Sequence, residues 1–348
     1  MIEILHPHDD RTRVDELTRA GYHIVDTWPE VLPELQALEL LEPSGWSADE
    51  ADLDSESRYV VYPWRHAVVR VPDSSTLYRL RTARNRFLIT GAEQARWAES
   101  VIAVAGLSVG ASLLNVCALT GGRNFRIADP DVLGPTNLNR LAGSVCDLGV
   151  PKATLATRRL LETDPYCTVE AFDAGFAAAT AKAFLGDEGQ RTDIVLEEVD
   201  NIAMKVEIRK QARARGIPVV MVTDNGDDVI LDVERYDLDG TYPLFHGRAG
   251  QIENMSTDEL TDPANRLRLA GAIAGDDVTP RMSEALTEVG KSIPSWPQLG
   301  TAATLAGAVG ALVARQIVCG YPVASGRRHV RIDSTVGLEV ADSEPEDV

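Results

Sequence analysis

From residue 100 onward, short apolar runs alternate with segments of helical periodicity. Val101-Ile102-Ala103-Val104-Ala105 has the unbroken apolar character of a strand covered on both faces. Gly106-Leu107-Ser108-Val109-Gly110 then reads as a turn, and Ala111 to Leu119 as a helix stopped by Gly121-Gly122. The same pattern predicts strands at Phe125 to Asp129, Thr168 to Phe172, Asp193 to Leu196 and Ile217 to Val222, with helices at Lys152 to Leu161 and Ile202 to Arg215. Repeated β-α-β units of this kind imply a doubly wound, mostly parallel α/β sheet. Val229 to Val233 follows too short a turn to be parallel, so the sheet is expected to be mixed. Residues 250 to 295 read as a long polar excursion with short helices. A small-residue helix at Thr301 to Cys319 and a last strand at Val330-Arg331-Ile332 precede an acidic tail.

The first seventy-five residues follow a different pattern. A short helix near Val14 to Ala20, a strand at Tyr22 to Val25, an acidic loop from Ala48 to Glu56, and paired strands either side of Pro63 suggest a small N-terminal α/β extension. Residues 76–348 would then form the main domain, with an arm at 76–99, a first half at 100–223 and a second at 224–348.

Composition narrows the class. With 348 residues, 44% hydrophobic and 25% charged, the chain matches an ordinary globular protein. The most apolar stretch, Leu299 to Val318, is interrupted by Arg315, which argues against a membrane span, and the N-terminus lacks the features of an export signal. A cytoplasmic location is expected. The 34 basic against 53 acidic residues give a net charge of −19, a field that disfavours phosphate backbones and so nucleic acid as a general partner. Cys117, Cys146, Cys167 and Cys319 form no Cys-x-x-Cys pair, which leaves neither zinc-ribbon spacing nor a dithiol motif.

Candidate chemistry begins at the glycine turn. The positions of a dinucleotide fingerprint hold Ala105, Leu107 and Gly110, so the fingerprint is incomplete, although Gly106, Ser108 and Gly110 keep the turn small before a helix N-terminus able to receive phosphate. Asp129 ends the second strand, where a carboxylate can accept from ribose hydroxyls. Asn137-Leu138-Asn139-Arg140, Gly149-Val150-Pro151-Lys152 and Asp200-Asn201 follow in order, and a simple dehydrogenase has no use for them. Taken singly, Arg140 and Lys152 could be solvated cations, and Asp200 could cap the helix after it.

Together with Asp129-Pro130-Asp131 and Pro297-Gln298-Leu299-Gly300, these motifs resemble those of the ThiF/MoeB/HesA superfamily of ubiquitin-activating-enzyme-like adenylyltransferases, from about Arg81 to Gly320. The resemblance implies a Rossmann-like sheet and a reaction in which a carboxylate, from a small acid or a peptide C-terminus, attacks ATP with Mg2+ and becomes an acyl-adenylate as pyrophosphate leaves. By motif, Asp129 and neighbouring Asp131 would bind the nucleotide, Asn137 and Arg140 its phosphates, Lys152 the α-phosphate, and Asp200 the magnesium. Arg84, within the arginine cluster Arg79 to Arg86, best matches the arm residue that reaches a partner subunit's ATP, which implies a homodimer. Two features depart from the family: Ser108 stands where glycine is usual, and no cysteine lies between Cys167 and Cys319, where thioester-forming members carry a nucleophile. The acyl group is therefore expected to pass to a non-cysteine acceptor. Alternatives are an enzyme like the tRNA threonylcarbamoyladenosine cyclases, a catalytically silent nucleotide-binding scaffold, and, last, an NAD dehydrogenase.

Overall fold

Two sheets organise the chain in the computed structural model, which describes residues 1–42, 55–187, 189–275 and 278–337. Most of the acidic loop expected from Ala48, the Asp276-Asp277 pair and the acidic tail lie outside the described residues. The chain divides into two units, one comprising Met1–Gly91 and Leu160–Cys167, the other Ala92–Arg159 and Thr168–Val348.

In the first unit, β1 (Glu3–Leu5), β2 (His23–Asp26), β3 (Ser57–Tyr62) and β4 (Ala67–Pro72) take the order β1-β3-β4-β2. The alternating pair β3 and β4 is antiparallel, and Pro63 opens the 3-10 turn between them. Leu5, Leu17, Val61 and Val68 form this unit's core. The helix Trp28–Leu41, absent from the elements expected from sequence, buries Trp28 and Leu35. The basic arm begins as a helix, Ser74–Thr82, capped by Asp73, whose side chain accepts from Thr76 N–H at 2.7 Å. Arg79 pairs with Glu39, Arg81 with buried Asp164 at 2.9 Å, and Arg86 with Glu42. Arg84, by contrast, is exposed and forms no ion pair among the described residues.

The second unit carries the mixed sheet. Its strands are β5 (Val101–Ala105), β6 (Asn124–Ala128), β7 (Thr168–Phe172), β8 (Ile194–Glu197), β9 (Val219–Asn225), β10 (Asp228–Glu234) and β11 (Gly326–Val330), in the order β11-β10-β9-β8-β5-β6-β7. The five strands from β7 to β9 are parallel, and β10 is antiparallel to both β9 and β11. The order in which successive strands are added reverses between β5 and β8, β6 and β7 lying on one side and β8 and β9 on the other. This is the switch point at which α/β sheets open a crevice beyond the carboxyl ends of the strands.

The helix Gly300–Val318 has the length and apolar composition of a membrane span, yet Ala302, Ala303, Ala306, Gly307, Gly310 and Ala314 are buried. A side-chain carbon at Gly307 would lie 2.9 Å from the backbone of Ser112, and one at Gly310 would lie 2.6 Å from Leu113. The small residues therefore record close approach to the Gly110–Leu119 helix, which places this segment in the core. The last strand lies earlier than hydrophobicity suggests. It runs Gly326–Val330, and Ile332–Thr335 is a helical turn. Charge sets its register: Arg327 faces Asp232 across the ladder and donates to it through Nε at 2.7 Å and Nη2 at 2.8 Å.

Candidate active site

The turn after β5 is shaped by one glycine. Gly106 has φ +86° and donates its N–H to Ala128 O at 2.8 Å, and a Cβ there would sit 2.4 Å from the carbonyl oxygen of Glu198. Only glycine meets both demands. Asp129, at the end of β6, is buried and pins the turn: Oδ2 accepts from Leu107 N–H at 2.6 Å and Oδ1 from Asp131 N–H at 2.8 Å. Burial pushes its pKa up, while those two amides and Lys152 act against the rise. Each oxygen keeps a further lone pair for a ligand.

The two cations named by the motifs converge here. Lys152 is 7% exposed at the start of the helix Lys152–Thr163, and its ammonium lies 3.8 Å from Asp129 and donates to Asp131 at 2.9 Å. Asp131 is 65% exposed, so solvent screens that pair and an incoming phosphate can displace it. Arg140 folds over the glycine turn, donating from Nε to Ser108 Oγ at 2.9 Å and from Nη1 to Thr136 O and the Asn139 side chain at 3.0 and 2.9 Å. Its Nη2 has no partner among the described residues. Ser108, standing where the family has glycine, thus orients the arginine. Burial lowers the Arg140 pKa, and Asp224 and Asp200 act in the opposite direction.

Asn137 accepts from Gly134 N–H at 2.9 Å through its side-chain oxygen and so braces the loop carrying Arg140. Asn139 donates to Gln298 O at 2.7 Å, and a Cβ at Gly300 would lie 2.7 Å from Asn139 O. These contacts explain the late Pro297 to Gly300 motif, which locks the arginine loop onto the second half of the unit. Asp200 is exposed and does not cap the following helix: Asn201 does, accepting from Met204 N–H at 3.1 Å. Gly110 opens its helix against Val104 and Glu198.

Two acidic groups, Glu198 and Asp224, escaped the sequence reading. Glu198 accepts from Val222 N–H at 2.8 Å, and burial drives its carboxyl well above the ordinary range. Asp224, near the end of β9, is buried with neither oxygen hydrogen-bonded among the described residues, and burial pushes its pKa up to about 7. Gln298 approaches Asp224 without closing a hydrogen bond of normal geometry. The only signal for Glu198 and Asp224 was an acidic side chain near a strand end, which in one dimension resembles any turn, whereas Gln298 belongs to the late Pro297 to Gly300 motif. Of the cysteines, Cys117 and Cys167 are buried, Cys319 is half-buried at a helix end, and only Cys146 is exposed. Burial also raises the Cys117 thiol far above its ordinary range.

A glycine turn, a strand-end aspartate and two converging cations at the switch point of a mixed sheet define a Rossmann-like α/β protein. Matching the ThiF family model over residues 82–333, the chain belongs to that family. An uncharacterized protein of Mycobacterium tuberculosis (strain CDC 1551 / Oshkosh) is 34% identical over 340 residues, 97% of this chain and 46% of the relative. The tRNA threonylcarbamoyladenosine dehydratase of Bacillus subtilis (strain 168) is 30% identical over 123 residues, 35% of this chain and 47% of that protein. The chain therefore spans about half the length of these curated relatives. Among solved structures, E. coli MccB with ATP superposes with a TM-score of 0.53 at 13% identity, covering 76% of this chain and 71% of the other, a likeness of fold.

Proposed function

We propose that the protein activates a carboxylate with ATP, forming an acyl-adenylate and releasing pyrophosphate, and hands the acyl group to a nucleophile other than a cysteine. The observation that carries this reading is the convergence of Arg140 and Lys152 on the glycine turn, with Arg140 Nη2 lacking a partner among the described residues. In-line displacement at phosphorus spreads negative charge over the phosphoryl oxygens, and a guanidinium and an ammonium held in place stabilise it. Asp129 and Asp131 bind the nucleotide beside Lys152, and Asn137 holds the Arg140 loop. Gly106, Ser108 and Gly110 let the phosphates approach the backbone. Membership of the ThiF family supports this assignment. Pyrophosphate exchange across a panel of acids and peptides tests it directly. No exchange with any of them, and no ATP binding, would sink the reading.

Asp200 fits a magnesium held mostly by substrate phosphates and water, because its carboxylate is exposed and Asn201 does the capping. Among the described residues no cluster of three or more potential ligands forms a site built wholly by protein. The ion would neutralise phosphate charge. Asp200→Asn is expected to raise the magnesium concentration needed for half-maximal exchange by roughly tenfold. Thermal stability should stay unchanged, as the cap remains, and an unaltered magnesium titration removes Asp200 from the site.

The working unit is a homodimer in which Arg84 completes the partner's nucleotide site. Arg84 is exposed and unpaired among the described residues, and neighbouring Phe87 and Leu88 are exposed apolar side chains of the kind that an interface buries. Random mixing of Arg84→Ala with Lys152→Ala subunits should then restore about a quarter of wild-type activity per subunit. Half of the dimers are mixed, and each mixed dimer has one intact site. Absence of rescue rules out the shared site. A second reading, an activity on tRNA like that named for the Bacillus subtilis relative, predicts co-purifying tRNA, and the charge of −19 weighs against it.

A further inference from the structure

The Asp224 carboxylate is a buried group that the folded second unit leaves unsatisfied among the described residues. Both oxygens are buried and neither accepts a hydrogen bond among the described residues, an unfavourable state unless the group is neutral or a ligand completes it. Its surroundings belong to the candidate site. Asp224 pairs with Val229 in the hairpin at the carboxyl end of the parallel strands, and Arg140, Glu198 and Gln298 are the side chains that sense it. The Arg140 hydrogen bonds go to Ser108, Thr136 and Asn139 rather than to Asp224.

We infer that Asp224 is a specificity residue that receives an ammonium group carried by the acyl substrate beside its reacting carboxylate, so that the substrate class is the α-amino acids. The inference rests on the adenylation reading. Its second support is charge. Asp224 and exposed Asp200 both act on the Arg140 guanidinium, and Glu198 lies close enough to Asp224 to feel its charge, so a substrate that is only an anion meets these carboxyl groups as it enters. A neutral hydroxyl or amide would give Asp224 a hydrogen bond and leave its charge uncompensated. An ammonium gives both, and it offsets the substrate's own carboxylate.

The test uses the full chain with Mg2+ and ATP and measures pyrophosphate exchange for matched pairs: glycine against acetate, alanine against propionate, serine against 3-hydroxypropionate, phenylalanine against 3-phenylpropionate. Wild type should favour the amino member of at least one pair by about 30-fold or more in kcat/KM. Asp224→Asn should lower exchange with that amino acid by at least about tenfold while its des-amino partner stays within about threefold. Calorimetry at pH 6 adds a signature that a structural role would not give. There the largely neutral Asp224 must release a proton when an ammonium binds, in wild type and not in Asp224→Asn. Equal use of amino and des-amino acids by wild type overturns the inference, and that comparison needs no variant. A variant that lowers both members alike also overturns it, as does the absence of exchange and binding for every amino acid in a protein that binds ATP. Failure to bind ATP at all instead overturns the adenylation reading beneath it.

Discussion

Replacing Arg140 with alanine is expected to lower kcat/KM for pyrophosphate exchange by roughly 10- to 150-fold, the equivalent of about 1.5 to 3 kcal/mol for a charge-assisted contact to phosphate. The guanidinium performs two tasks at once. Its Nε and Nη1 fasten it to Ser108, Thr136 and Asn139, and this leaves Nη2 directed by a rigid fork. Arg140→Lys should therefore recover little, because one ammonium cannot hold Ser108 and bind phosphate in the same geometry. Removing the cation also leaves Asp224 with no guanidinium against its burial, so its pKa should climb beyond the present value of about 7. ATP calorimetry and carbon-detected titration of Asp224 in the same variant read both effects. Affinity and turnover within a factor of two of wild type would show that Arg140 lies outside the reaction.

The largest stability loss is expected behind the sheet rather than in the crevice. Arg209 is fully buried and donates to Glu197 and, at 2.6 Å through Nε, to Glu234. Glu197 also receives Lys205 at 3.1 Å. Glu234 in turn accepts from Tyr236 at 2.8 Å and from Phe245 N–H at 2.7 Å, and the guanidinium stacks 4.1 Å from the Phe245 ring. Phe245 and His246 both have positive φ, a strain that these contacts hold in place. Arg209→Ala takes the guanidinium from two buried carboxylates, leaving Glu197 only Lys205 as a counter-charge and Glu234 only neutral donors, and should cost about 3 to 5 kcal/mol, lowering Tm on the order of 10 °C.

The pH dependence has a definite sign. Burial raises the Glu197 pKa, but Lys205 and Arg209 more than offset it and hold the carboxyl below its ordinary range. Its stabilising contribution is therefore complete above the unfolded value of about 4.3 and is lost as pH falls through the lower folded value. In Arg209→Ala that carboxylate should protonate more readily, so the gap in Tm between variant and wild type narrows on acidification from pH 7 to 5. A gap that widens instead would show that the network is not the source of the loss.

The mixed sheet, its glycine turn and the order of the motifs were legible in the chain because each is a local property. Unbroken apolar runs report strands covered on both faces, and Gly106 with Gly121-Gly122 marks backbone geometry. Asp129, Arg140 and Lys152 were singled out by the resemblance of their ordered motifs to the ThiF family, and short connections carry them to the same end of the sheet. What periodicity reports is burial, and it does not say which partner a buried group meets. The β11 register was therefore misplaced, because an Arg327–Asp232 pair fixes it rather than an apolar face. Asp224, Glu198 and Gln298 come from segments far apart in sequence, and only the folding of those segments together leaves one carboxylate buried without a partner. Sequence by itself determined the sheet architecture and, through resemblance to the family, pointed to the cations. Tertiary structure decided how those cations are aimed and which acids surround them, because electrostatic pairing depends on distances that no one-dimensional pattern contains.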